Sequence, residues 1–130
     1  MSSKICILVV DDHIDIANAI KLTLQLDDYN VVAYDNPLLA LDYFKSNPKK
    51  FTAVISDIRM PVMSGIELVT NIKKLESNVK AIFMTAFEVD YVKQEIEKCD
   101  FEIAEIFQKP LKMKDLIERV RKHLTNDQVI

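Results

Sequence analysis

The chain has 130 residues, a length typical of one domain with one hydrophobic core. Its formal net charge of -3 argues against a domain that binds nucleic acid directly. No apolar run approaches the roughly 20 residues of a membrane span, and the start, MSSK, lacks the apolar core of a signal peptide. We therefore expect a cytoplasmic protein without membrane contacts.

Strand and helix patterns alternate along the chain. Apolar runs predict five buried strands, at residues 5–10, 31–34, 53–55, 79–84 and 103–107. Helical spacing of apolar residues follows each run, at residues 14–26, 37–46, 66–77, 89–99 and 113–124, and residues 125–130 are expected to be a frayed tail. This alternation is typical of an α/β fold with a parallel sheet and helices on both faces. For five strands, it favours the flavodoxin-like (βα)5 sandwich with strand order 2-1-3-4-5.

Polar residues stand at the ends of four predicted strands. Asp11 and Asp12 follow the first strand, Asp57 ends the third, Thr85 ends the fourth and Lys109 follows the fifth. Parallel strands finish at one edge of the sheet, and ligands of open α/β sheets bind at that edge. We therefore expect three carboxylates, a hydroxyl and an ammonium group to share one crevice.

The chemistry of this set indicates phosphoryl transfer. Two carboxylates about 4 Å apart repel by roughly 4 kcal/mol at an effective dielectric constant near 20, so either some are protonated or a cation lies between them. Oxygen ligands favour a hard ion such as Mg²⁺. An ion, Lys109 and Thr85 around one acid suit a tetrahedral dianion, with Asp57 as the acceptor. His13 adjoins the acid pair and could also bind metal, although an exposed loop position is the more frequent role.

An ordered set of motifs leads to a family. The set comprises Asp11-Asp12, the run Asp57-Ile58-Arg59-Met60-Pro61 with Met63 and Gly65, Thr85-Ala86, and Lys109-Pro110. With these motifs the chain resembles the receiver domain of two-component response regulators over nearly its whole length. The resemblance implies a single receiver domain over residues 1–130, with a core of about 4–124 and no output domain, similar to the stand-alone receivers of chemotaxis and phosphorelays.

The same resemblance implies a set of roles. Asp57 would accept a phosphoryl group from a sensor histidine kinase or a phosphotransfer protein. Asp12, Asp57 and the backbone carbonyl of Arg59 would bind Mg²⁺, with Asp11 helping through water. The phosphate-binding and switch residues would be Thr85, Ala86 and Lys109. Phosphorylation would change the affinity for protein partners at the face made by the fourth helix, fifth strand and fifth helix.

The chain departs from the family pattern at the switch position. Family members commonly carry Tyr or Phe three residues before the conserved lysine, whereas this chain has Ile106 there and Phe107 beside it. Alternation along a strand sends these two side chains to opposite faces of the sheet. The sequence therefore does not predict the family's usual coupling of Thr85 to an aromatic ring. Arg59 and Phe87 occupy the two positions that tune phosphate lifetime in the family.

Two other functions are consistent with parts of the sequence. A Mg²⁺-dependent phosphohydrolase would form an aspartyl-phosphate, but such enzymes generally need a second acid two residues past the nucleophile, where this chain has Arg59. A flavodoxin-like cofactor binder would need a Gly- or Ser/Thr-rich loop after the first strand, where this chain has Asp11, Asp12 and His13. We therefore expect no enzymatic activity beyond self-phosphorylation and autodephosphorylation.

Overall fold

The computed structural model describes residues 5–124. Their ten elements, in chain order, are β1 (Cys6–Val10), α1 (Ile14–Leu26), β2 (Asn30–Tyr34), α2 (Pro37–Ser46), β3 (Ala53–Asp57), α3 (Gly65–Leu75), β4 (Lys80–Thr85), α4 (Val89–Glu97), β5 (Ile103–Gln108) and α5 (Met113–His123). All strand pairs are parallel, in the order β2-β1-β3-β4-β5. The predicted flavodoxin-like order is thus confirmed, and the predicted tail at residues 125–130 lies outside the described residues.

Two apolar cores cover the two faces of the sheet. On β1, Leu8 and Val10 face the core shared with α2, α3 and α4, while Ile7 and Val9 face the core shared with α1 and α5. Successive strand residues point to opposite faces, so a strand covered on both sides is apolar at every position. This explains why the first strand is a continuous apolar run.

Helices α3 and α4 are shorter than predicted. α3 ends at Leu75, before an extended Glu76, and α4 ends at Glu97. The helical spacing predicts Val89, Val92, Ile96 and Cys99 as the inner face of this helix. That prediction is wrong in part, because Val92 is the one fully buried residue of α4 and Val89 is 37% exposed. Charged residues occupy much of the remaining helix surface, so α4 rests on the sheet through a narrow contact.

An irregularity in β5 sets the direction of its side chains. Ala81 lies opposite Ile103 but Ile82 lies opposite Glu105, so one extra residue is inserted in β5. After this bulge, Ile106 belongs to the core shared with α2, α3 and α4, and Phe107 belongs to the core shared with α1 and α5. The predicted opposite orientation of Ile106 and Phe107 is confirmed. None of the helices within residues 5–124 is long and apolar enough to cross a membrane.

Candidate functional site

The carboxyl edge of the sheet brings the predicted polar groups together. One ligand atom from each of Asp11, Asp12, His13 and Asp57 lies within 4.8 Å of the others. Lys109 reaches this cluster from the end of β5, where its backbone N–H donates to the carbonyl of Thr85 at 2.8 Å. Three segments that are remote in sequence thus share one crevice, because β1, β3 and β5 end at the same edge of the sheet.

Asp57 is the last residue of β3 and is only 6% exposed. Burial raises the pKa of its carboxyl group above the usual range, and the charges of Asp11 and Asp12 raise it further, against the opposing charge of Lys109. The fold therefore holds this carboxylate in a setting that disfavours its negative charge.

Lys109 is the cation between two of the three carboxylates. Its Nζ donates to Asp11 Oδ2 at 2.7 Å and to Asp57 Oδ2 at 3.2 Å. Burial alone would lower the pKa of Lys109, but the hydrogen bond to Asp11 and the charges of Asp57 and Asp11 outweigh it, and the pKa is raised. The ammonium group is thus held charged beside the carboxylate that the sequence predicts as the phosphoacceptor.

Asp11 and Asp12 have different surroundings. Asp11 is fully buried, and its Oδ1 accepts a hydrogen bond from the backbone N–H of His13 at 2.9 Å. Asp12 Oδ1 is also buried but has no hydrogen-bond partner, and the imidazole Nδ1 of His13 lies 3.6 Å away. A buried carboxylate oxygen without a partner is costly. An oxygen-ligated ion would satisfy it, so the residues present fit a Mg²⁺ site.

The loop between β3 and α3 packs tightly under Asp57. A Cβ atom added to Gly65 would lie 2.0 Å from the backbone oxygen of Asp57. The Gly65 N–H donates to the carbonyl of Ile58 at 2.8 Å, and Ser64 and Glu67 form a capping box at the start of α3. The steric role of Gly65 cannot be predicted from local sequence, whereas the Ser-x-x-Glu signature at residues 64–67 predicts this helix start.

Thr85 ends β4, the strand beside β3, at the same edge of the sheet as Asp57. Thr85 is 1% exposed, and its hydroxyl oxygen accepts a hydrogen bond from the Phe87 N–H at 3.0 Å. Ala86, between them, is exposed. The guanidinium carbon of Arg59 lies 4.9 Å from the centre of the Phe87 ring, and the same guanidinium pairs with Glu95 of α4 at 2.7 Å. No local sequence pattern predicts this bridge, because Glu95 is 36 residues from Arg59.

The switch position carries an aliphatic side chain. Ile106 is partly buried against the core shared with α2, α3 and α4. Phe107 is 2% exposed on the other face, where the guanidinium carbon of Arg119 lies 4.3 Å from its ring centre. The Phe107 ring is therefore buried in the core shared with α1 and α5, so it is poorly placed to change conformation together with Thr85.

This arrangement agrees with the comparison with known families. Residues 7–121 match the model of the response regulator receiver domain. The chain belongs to this family.

Relatives of this receiver domain come from plants and bacteria. "Two-component response regulator ARR17" of Arabidopsis thaliana is 30% identical, over 97% of this chain and 88% of the relative. "Sporulation initiation phosphotransferase F" of Bacillus subtilis is 30% identical, over 91% of this chain and 92% of the relative. The crystal structure of response regulator protein TrrA from Thermotoga maritima, in complex with Mg(2+)-BeF, has 32% identity and a TM-score of 0.78, over 92% and 99% of the two chains.

The raised pKa of Asp57 predicts a pH-dependent stability for the receiver domain. A raised pKa means that the folded state holds the Asp57 proton more tightly than the unfolded state, so stability is lost as pH rises through the folded pKa. We expect Asp57→Asn to be more stable than wild type in EDTA at neutral pH, by on the order of 1 kcal/mol. The gain should shrink as pH falls toward the ordinary aspartate value of 3.8.

Urea unfolding of both proteins across a pH series measures this difference. Asp42→Asn, at an exposed position on α2, is the matched control and should show no such gain. A stability difference that increases on acidification would contradict the assigned direction of the Asp57 pKa.

The unpartnered oxygen of Asp12 predicts that one substitution, Asp12→Ala, changes both the stability of the fold and its stabilisation by Mg²⁺. Asp12→Ala removes a carboxylate that Lys109 does not contact, so it should raise stability in EDTA by about 1 kcal/mol. The same change should abolish stabilisation by Mg²⁺, which for wild type is about 2.7 kcal/mol at a hundredfold excess over Kd. Thermal melts in EDTA and in Mg²⁺ test both effects, with Asp42→Ala as control. If Asp12→Ala is destabilised in EDTA and still responds to Mg²⁺, Asp12 is not a metal ligand.

Proposed function

We propose that this receiver domain is a phosphorylation switch in which Asp57 accepts a phosphoryl group from a histidine kinase or phosphotransfer protein. Mg²⁺ would be held by Asp12, Asp57 and the backbone carbonyl of Arg59, with Asp11 acting through water. The observation that carries the proposal is the buried Asp57 carboxylate, 3.2 Å from Lys109 Nζ, in the same cluster as the unpartnered oxygen of Asp12.

The transfer exchanges one bond for another. An Asp57 carboxylate oxygen bonds to phosphorus as the phosphorus–nitrogen bond of a phosphohistidine breaks, and the leaving imidazole nitrogen takes up a proton. Bound Mg²⁺ supplies positive charge that offsets the charge of the phosphoryl oxygens. Lys109 adds a second positive charge, and it can exchange its contact with Asp57 for one with a phosphoryl oxygen. Lys109 and a bound ion would thus offset the negative charge that Asp57 gains on phosphorylation.

Thr85 can join the phosphoryl group without giving up its present contact. A hydroxyl group has one donor and two acceptor lone pairs. The Thr85 oxygen accepts from the Phe87 N–H, so its O–H is available to donate to a phosphoryl oxygen. This contact would connect the phosphorylated site to residues 86–89, the segment that leads into α4. We expect that segment to have one conformation before phosphorylation and another after it.

We also propose that the chemistry is limited to self-phosphorylation and autodephosphorylation. A phosphohydrolase of the aspartyl-phosphate type would need an acid two residues past the nucleophile. Arg59 stands at that position, and its guanidinium is bound to Glu95 and Phe87.

The complex of the relative TrrA with Mg(2+)-BeF supports a receiver site that combines Mg²⁺ with an anion.

The phosphorylated domain would act on a downstream protein through the face of α4, β5 and α5. The support is that β5 is an edge strand with mostly half-buried residues, and that Tyr91 on α4 is 75% exposed. The net charge of -3 favours protein partners over nucleic acid. Hydrogen exchange that leaves α4 and β5 unchanged on phosphorylation would contradict this choice of face.

Mass spectrometry tests the assignment of Asp57. Wild-type protein incubated with acetyl phosphate and Mg²⁺ should gain one phosphoryl mass, and the gain should be lost with EDTA. Asp57→Asn should show no gain, whereas the control Asp42→Asn should behave as wild type. Persistence of the gain in Asp57→Asn would overturn the assignment, and an undiminished gain in EDTA would overturn the role of Mg²⁺.

A further inference from the structure

The imidazole of His13 lies at the edge of the acidic cluster. Its Nδ1 is 3.4 Å from Asp11 Oδ1 and 3.6 Å from Asp12 Oδ1. His13 is the N-cap residue of α1, but its side chain makes no cap hydrogen bond. The ring is 68% exposed, so it can turn about its side-chain torsions without disturbing the core. His13 is therefore exposed, as its sequence position predicts, and its ring also lies next to two carboxylates.

The spacing of these atoms suits one octahedral ion. Ligands about 2.1 Å from such an ion lie about 3.0 Å apart when adjacent and about 4.2 Å apart when opposite. The ligand atoms of Asp11, Asp12, His13 and Asp57 all lie within 4.8 Å of one another. Asp12 Oδ1 is buried without a hydrogen-bond partner, and a cation in the same place would satisfy it. Shifts of a few tenths of an ångström would therefore bring the His13 nitrogen and the oxygens of Asp12 and Asp57 onto a common ion, with Asp11 beside it.

We propose that His13 is a nitrogen ligand of this metal site, and that it makes the site favour imidazole-binding divalent ions such as Ni²⁺ over Mg²⁺. The inference rests on the metal site of the proposed function and adds a residue and a metal preference to it. Mg²⁺ prefers oxygen ligands and gains little from an imidazole, whereas Ni²⁺, Fe²⁺ and Zn²⁺ bind imidazole well. One imidazole added to a set of carboxylates therefore strengthens Ni²⁺ binding more than it strengthens Mg²⁺ binding.

Substitutions at His13 can remove the ring and preserve the turn. The contact that His13 makes with Asp11 Oδ1 at 2.9 Å comes from its backbone N–H, which alanine and glutamine retain. The chain has two histidines, and the second provides a matched control. His123 lies at the end of α5, where its Nε2 is 3.1 Å from Glu105 Oε2.

Calorimetric titration of the full chain with Ni²⁺ and with Mg²⁺, at one fixed neutral pH, measures the preference. His13→Ala should weaken Ni²⁺ binding by roughly tenfold or more and Mg²⁺ binding by less than about threefold. His13→Gln should act in the same direction, and His123→Gln should match wild type for both ions. An equal change in Ni²⁺ and Mg²⁺ affinity in His13→Ala, or no change in either, would overturn the inference.

Pulsed electron paramagnetic resonance of bound Mn²⁺ gives a direct second readout. Nitrogen coupling to the ion should be present in wild type and His123→Gln and absent in His13→Ala. Coupling that persists in His13→Ala would also overturn the inference. If wild type binds Mg²⁺ and is phosphorylated on Asp57 but His13→Ala keeps the wild-type ratio of Ni²⁺ to Mg²⁺ affinity, only the role of His13 fails. If wild type binds no Mg²⁺ and is not phosphorylated, the proposed function itself fails.

Discussion

Lys109→Ala is expected to lower the free energy of unfolding by about 3 kcal/mol in EDTA, since removal of one partner of a buried ion pair leaves an uncompensated charge. Lys109 contacts Asp11, whose side chain is fully buried, and Asp57, whose side chain is 8% exposed. Both carboxylates would lose their cation, and Asp57 would be driven further toward its protonated form. The effect should therefore be larger than that of any surface lysine.

Mg²⁺ should restore much of this loss. The ion does not need Lys109 as a ligand, and the variant site has a greater negative charge than the wild-type site. The rise in melting temperature with Mg²⁺ should accordingly be larger for Lys109→Ala than for wild type. Lys114→Ala, at an exposed position on α5, is the control and should change stability by less than about 0.5 kcal/mol. A Lys109→Ala protein that is as stable as wild type in EDTA would show that the ammonium group does not hold the cluster together.

The second large effect is expected at Gly65, for a steric reason. A Cβ atom there would meet the backbone oxygen of Asp57 at 2.0 Å and its backbone carbon at 2.9 Å. Neither atom can move unless the end of β3 shifts away from α3. We expect Gly65→Ala to cost about 3 kcal/mol or more and to displace Asp57 from Lys109. Helix propensity alone would predict the opposite sign, a gain of about 1 kcal/mol, so the sign of the change decides between the two effects.

Two further variants separate the causes. Ser64→Ala removes the cap of α3 without adding a clash and should cost only about 1 kcal/mol. Ser56→Ala combined with Gly65→Ala removes the side-chain oxygen 2.9 Å from the added Cβ, but the backbone contact remains. Urea unfolding should therefore show no rescue in the double variant. If the double variant recovers wild-type stability, the side chain of Ser56 rather than the Asp57 backbone creates the constraint.

Both large effects arise at the same edge of the sheet. Three carboxylates lie together at the buried end of β3, and their mutual repulsion lowers the stability of the fold. The same arrangement places charge where a phosphoryl group and a cation can bind. Such concentration of destabilising groups at a functional site is common, because activity and stability make different demands on the same residues. The predicted gains in stability at Asp12 and Asp57 and the predicted loss at Lys109 follow from this concentration of charge. The predicted loss at Gly65 follows from the close approach of α3 to the end of β3.

Local sequence information was sufficient for the architecture and for the clustering of Asp11, Asp12, Asp57 and Lys109. Strands buried on both faces appear as continuous apolar runs, such as residues 6–10, and the acids that end them are conspicuous beside those runs. Because parallel strands end at one edge, Asp11, Asp57 and Lys109 could be placed in one crevice without coordinates. The face of each residue on a strand is also a local property, so the opposite directions of Ile106 and Phe107 could be predicted.

The tertiary structure alone decided which of these groups contact each other. Lys109 pairs with Asp11 and Asp57, while Asp12 keeps an unpartnered oxygen. This pairing depends on how the separate strands place these side chains relative to one another. The bridge from Arg59 to Glu95 depends on where α4 lies over the sheet. The need for glycine at position 65 depends on how closely α3 approaches the end of β3. The periodicity of a sequence determines the direction in which a side chain points, whereas the packing of the whole chain determines what that side chain meets.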